Sequence, residues 1–111
     1  MMKPPIEFLI HSIEYVDRIG EDDWQKPVYA EPVVIEKVRV DEGSQYSTTG
    51  EGKQLLYNGL IFIYAGFSSP MVDFKEESKI RFNGKEMTIT SVIPVYEPYA
   101  NKLYSVELEV I

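Results

Sequence analysis

Residues 80–98 read IRFNGKEMTITSVIPVYEP. Apolar and polar side chains alternate on both sides of Asn83-Gly84. That pair accepts the positive φ angles of a tight hairpin turn, whose twist matches the flanking strands. Met87, Ile89 and Ile93 continue one face of the second strand, and Thr88, Thr90 and Val92 the other. Pro94 and Pro98 then end regular pairing. A hairpin of this kind builds a sheet and carries no chemistry of its own.

The rest of the chain agrees with the hairpin. Residues 103–111 alternate, with Tyr104, Val106, Leu108 and Val110 inward and Ser105, Glu107 and Glu109 outward. Residues 55–65, LLYNGLIFIYA, are apolar on both faces, as in a central strand, and Gly59 suggests a bulge. Residues 28–41 read as a strand with Val34, Val38 and Val40 on one face, interrupted by Glu36. Pro27 and Pro32 place its start at a sheet edge or bulge. Residues 6–16 read as a strand, 17–26 as a turn or hairpin loop, and 66–70 as a turn. Residues 71–78 form a polar connection with at most one helical turn. About six strands and no amphipathic helix predict a small all-β domain, a barrel or sandwich spanning residues 1–111.

One segment breaks the pattern. Asp41-Glu42-Gly43-Ser44-Gln45-Tyr46-Ser47-Thr48-Thr49-Gly50-Glu51-Gly52-Lys53-Gln54 has three Gly and little apolar content. It reads as a long flexible loop, and loops of that length are usually functional or disordered.

Composition bounds the function. The chain has 111 residues, 44% apolar and 13% aromatic, enough for one core. It has no Cys, so neither a disulfide framework nor a thiolate metal site is available. The N-terminal apolar run is broken by Glu7, His11 and Glu14, so neither a signal peptide nor a membrane span is expected. A formal charge of −7 argues against tight nucleic-acid binding, which needs a basic patch.

Catalysis is poorly supported. His11 is the single histidine and reads as structural. Glu21, Asp22 and Asp23 are consecutive and cannot all face one ion, so they read as a solvated turn. Ser44, Ser47, Thr48 and Thr49 lack a recognisable base. Gly50-Glu51-Gly52-Lys53 lacks the spacing of a phosphate loop. No catalytic residue, metal site or cofactor is expected. Trp24, Tyr96, Tyr99 and Tyr104 remain as candidate assembly residues, because large aromatics anchor interfaces; Trp24 could equally cover one end of the barrel.

Residues 79–92, KIRFNGKEMTITSV, resemble the hairpin near the C-terminus of small head–tail connector proteins of tailed bacteriophages. Pro4-Pro5-Ile6-Glu7-Phe8-Leu9-Ile10-His11-Ser12, Gly20-Glu21-Asp22-Asp23-Trp24, Tyr29-Ala30-Glu31-Pro32-Val33 and Val38-Arg39-Val40-Asp41 resemble minor capsid proteins of phages and prophages of low-GC Gram-positive bacteria. The resemblance covers nearly the whole chain. It implies a non-enzymatic virion protein of the stopper or head-completion type, made in the host cytoplasm and placed at the head–tail junction. It further implies a homo-oligomeric ring between portal or adaptor proteins and tail proteins, with subunits expected to be monomeric in isolation. DNA would pass through the ring without specific binding, and residues 41–54 would be the channel loop. A tail-terminator or other tail-side protein is the nearest alternative. An OB-like or SH3-like binding module is a further one.

Overall fold

The computed structural model describes residues 4–49 and 52–111, with the backbone alone for 44–47, 49 and 53–57. Eight strands follow one short 3-10 turn, Ile6–Phe8: β1 His11–Val16, β2 Arg18–Glu21, β3 Pro27–Tyr29, β4 Val33–Thr49, β5 Gly52–Tyr64, β6 Lys79–Phe82, β7 Lys85–Tyr96 and β8 Leu103–Val110. Six of them close into a barrel in the order β1-β4-β5-β8-β7-β6, every pair antiparallel. Pairing of Glu14 with Arg81, Tyr15 with Ile80 and Val16 with Lys79 brings β6 back onto β1. β2 and β3 form a separate two-stranded ribbon.

Alternation supplies the core. Ile13 and Tyr15, Ile61 and Ile63, Ile80 and Phe82, and Val106, Leu108 and Val110 are buried from their respective strands. β5 lies between β4 and β8, which explains its two apolar faces: Ile61 and Ile63 point in while Leu60, Phe62 and Tyr64 stay half-buried outside. Burial of each such side chain contributes about 1.5–3 kcal/mol.

Two bulges reset that alternation and correct the faces expected above. On β4, His11 opposes Val38 while Ser12 opposes Glu36, so Lys37 is the extra residue, at φ 60°. The inward face passes from Ile35 to Val38, and Val34 points to solvent. On β7, Ile89 opposes Val110 and Ser91 opposes Glu109, leaving Thr90 as the extra residue. Val92 thereby packs on the core and Ile93 turns outward. One added residue flips every side chain beyond it.

Three further expectations are corrected. Residues 41–54 are not a loop: β4 continues to Thr49 and β5 begins at Gly52, with Ser47 opposite Gln54 and Thr48 opposite Lys53. Ladder pairing propagated from the barrel overrides a Gly/Ser/Thr composition. Gly50 and Glu51, also within that expected loop, lie outside the described residues. Pro94 does not end pairing, because β7 runs to Tyr96 with Pro94 opposite Val106. Along β7, β6 reaches only Lys85–Thr88, so the far edge of β7 at Pro94 has no strand neighbour among the described residues and a missing N–H costs no ladder bond. Helical geometry falls at Ile6–Phe8, where a strand was expected, and not within 71–78. Pro5 starts that turn, its carbonyl accepting from the Phe8 amide at 2.9 Å.

Residues 65–78 close one end of the barrel. Glu36 and Ser69 exchange backbone bonds at 2.9 and 3.2 Å, and the Ser68 hydroxyl donates to the Lys37 carbonyl at 2.6 Å. Phe74 enters the core, edge-on to Tyr15 at 5.0 Å between ring centres.

Candidate assembly surfaces

Three elements extend beyond the closed barrel. The longest is the outer part of β4 and β5. Pairing of β1 with β4 stops at Val38, and pairing of β8 with β5 stops at Gly59. Beyond Glu42 and Gly59 the two strands pair only with each other. At about 3.3 Å per residue, the seven residues 43–49 reach roughly 23 Å from the barrel. Glu42 opposes Gly59 and Gln45 opposes Tyr57, so β4 carries an extra residue at the base. Tyr46 then opposes Leu55, so β5 carries the compensating one. The bulge expected at Gly59 therefore sits beside it. Gly59 itself is needed for space, since a Cβ there would lie 3.3 Å from the Asp41 carbonyl oxygen and 3.4 Å from Val110 Cγ2.

Ion pairs brace the base of this arm. Lys85 Nζ lies 3.0 Å from Glu42 Oε2, and Arg39 Nε lies 3.1 Å from Asp41 Oδ1. The Arg39 guanidinium also covers the Phe8 ring at 4.6 Å. His11 serves the same region: its Nδ1 accepts from the Val40 amide at 3.0 Å, beyond the end of β1 pairing. Its ring meets Phe82 edge-on at 5.0 Å. These two contacts tie the histidine to β4 and β6.

The second extension is the β2–β3 ribbon, with Trp24 at its tip. The third is the β7–β8 hairpin, with Tyr96 and a fully exposed Tyr99 at its end. Tyr104 differs from these two, being half-buried edge-on to Tyr64 at 5.7 Å. Burial, then the nearby Tyr104, Glu107 and Asp41, push the Tyr64 phenol above its ordinary value. The four aromatic candidates thus divide between two extensions, Trp24 on the β2–β3 ribbon and Tyr96, Tyr99 and Tyr104 on the β7–β8 hairpin. Ile6, Phe8 and Ile10 are exposed as well and were missed; the strand expected over 6–16 hid them.

Carboxylates gather at the ribbon tip, as Glu21, Asp22 and Asp23, whereas the described arm beyond Glu42 has none and the β7–β8 tip sets Glu97 against Lys102. Arg18, Arg39, Lys75, Arg81 and Lys85 are taken up by carboxylates, Arg81 by both Glu14 and Glu86. Glu107 and Glu109 are half-buried with no ion pair among the described residues. Among those residues no cluster of three or more His, Asp or Glu is placed to hold a metal ion, and no helix is long and apolar enough to cross a membrane.

Comparison with known proteins decides what kind of scaffold this is. The sequence profile of a family described as minor capsid protein matches residues 5–110. The chain belongs to the minor capsid protein family. An uncharacterized protein ORF5 of Lactococcus phage LL-H is 39% identical over 80 residues, covering 69% of this chain and 68% of that one. A protein of the same description from Lactococcus phage mv4 is 33% identical over 72 residues, covering 62% of this chain and 64% of its own length. For this minor capsid protein, membership carries a structural, non-enzymatic role in a phage virion.

Proposed function

We propose that this minor capsid protein is a ring-forming connector at the head–tail junction, one that helps to retain packaged DNA and to attach the tail. The observation that carries the reading is the self-paired arm of residues 43–49 and 52–58, held clear of the barrel. A subunit whose barrel is closed has few edges for neighbours, so a projecting ribbon is where contacts across a ring or into its channel arise. A heterologous, head-to-tail contact of this kind closes into a ring when the rotation permits. The acidic surface suits a DNA conduit, because like charge repels phosphate and lets DNA slide. Portal or adaptor proteins above and tail proteins below are the partners.

The test is deletion of the gene in the phage that encodes it, followed by electron microscopy of the lysate. Separate heads that have lost their DNA, beside complete free tails, are the expected result. Normal infectious particles would overturn the reading. Heads attached to tails of irregular length would move the protein to the tail side.

A further inference from the structure

Trp24 is the single tryptophan of the chain, and 83% of its surface is exposed. The turn that carries it is well ordered by its own bonds. Asp22 Oδ1 accepts from the backbone amides of Trp24 at 2.8 Å and Lys26 at 2.9 Å. The Asp22 amide donates to the Lys26 carbonyl at 2.9 Å, and Gln25 takes the left-handed φ of 62° that tightens the turn. Behind the tip, β2 and β3 pair only with each other. Their base is fixed to the barrel end, the Arg18 amide donating to Ser78 Oγ at 3.0 Å and the Ala30 amide to the Asp17 carbonyl at 2.8 Å. The indole is thus held out on a preorganised stalk. Such a ribbon adds little stability alone, and an exposed Trp adds none, whereas a preordered Trp is what a binding hot spot requires.

The surrounding charge selects the partner. Glu21, Asp22 and Asp23 immediately precede the indole; Glu21 is paired with Arg18 and Lys26 follows, so the ribbon keeps a small acidic excess, three carboxylates against two cations. Three hollows on the described surface of a second copy lack the complementary charge. The hollow around Val34 sets two carboxylates, Glu14 and Glu86, against two cations, Arg81 and Lys85. The hollow around Met87 has Glu42 and Glu86 against Lys85 alone. The apolar hollow between Phe74 and Val92 has Asp73 as its charged residue. None of these three hollows has a net positive rim, and the whole chain carries −7. Like charges set opposite each other suppress the wrong partner.

We propose that the β2–β3 tip, centred on Trp24, docks into a different virion protein, at an apolar pocket rimmed by Lys or Arg. This rests on the virion role of the family and not on placement at the junction. The test places the photocrosslinking residue p-benzoylphenylalanine at position 24 in particles made by a gene-deleted phage complemented in trans. The expected product is a crosslink to a different protein, at a segment bearing Lys or Arg. A crosslink to another copy of this chain, or none in particles that contain the protein, would overturn the proposal. Absence of the wild-type protein from complemented particles would instead remove the virion role, and the docking idea with it. Trp24→Ala and Asp23→Lys, with unchanged thermal unfolding, should each lower incorporation by roughly tenfold or more, the size of a hot-spot loss. Incorporation at the wild-type level by both would also count against it.

Discussion

The phenol of Tyr15 sits where three parts of the chain meet. It donates to Asp17 Oδ1 at 2.9 Å and accepts from the Lys75 amide at 3.0 Å, with Ser78 Oγ at 3.3 Å. Tyr15→Phe keeps the ring on Phe74 but strands those groups. A loss of about 1–3 kcal/mol is expected, read as a lower urea midpoint with an unchanged slope. The same cluster sets both pH limbs. Burial pushes the Tyr15 phenol above its ordinary 10.0, so its contribution is full below that pH and is lost as pH rises through the raised native value. Burial also acts to raise Asp17, but bonds from Tyr15, Lys75 and Ser78 outweigh it and hold the carboxyl below its ordinary 3.8. Its contribution is full above that value and is lost as pH falls through the depressed native one. Asp17→Asn should flatten the acid limb of a plot of urea midpoint against pH and also weaken the alkaline limb, since after burial the Asp17 hydrogen bond and charge help to raise Tyr15. At Gly59 the space is closed, so Gly59→Val should cost about 1–3 kcal/mol by overpacking against the Asp41 carbonyl and Val110.

At the scale of elements, the sequence revealed strand identity better than strand extent. Alternation in 80–93 and 103–111 marked β6, β7 and β8 directly. Bulges at Lys37 and Thr90 left no mark, because neither residue is a Gly and each is defined only by its partner strand. The arm was hidden for a related reason. Its residues lack the apolar stripe of a strand packed on a core, and they pair because the barrel hands them a ladder already in register. Replacing residues 43–58 by a two-residue Asn-Gly turn between Glu42 and Gly59 should therefore leave a folded barrel, since every described core residue lies outside that span. Near-native circular dichroism and thermal unfolding are the expected readings; on the proposed function, particles carrying the variant lose DNA. Pro94 guards the open edge of β7. Pro94→Thr restores a donor there and should increase self-association in light scattering without lowering stability by more than about 0.5 kcal/mol.

The molecule as a whole divides into a closed, densely cored barrel and thin extensions. Ile61, Ile63 and Leu108 lie at its centre with no exposed surface. Hydrogen exchange at their amides should require global unfolding, while amides of 43–49 exchange by local opening, a contrast readable by mass spectrometry. Ile61→Ala should remove about 2–5 kcal/mol, a large share of the roughly 5–15 kcal/mol typical of a domain. The fold class was legible because a core of this kind needs period-two patterning on every strand. The candidate surfaces were legible only as single exposed-type residues such as Trp24 and Tyr99, since their separation onto different hairpins depends on closure of the barrel. That separation has an optical consequence. The lone indole stands in water on a stalk remote from the core, so its fluorescence already has the colour of an unfolded chain. Denaturation should scarcely move its emission, while anything that seats the stalk should shift it to the blue. The wild-type protein thus carries a built-in dye that ignores folding and reports contact.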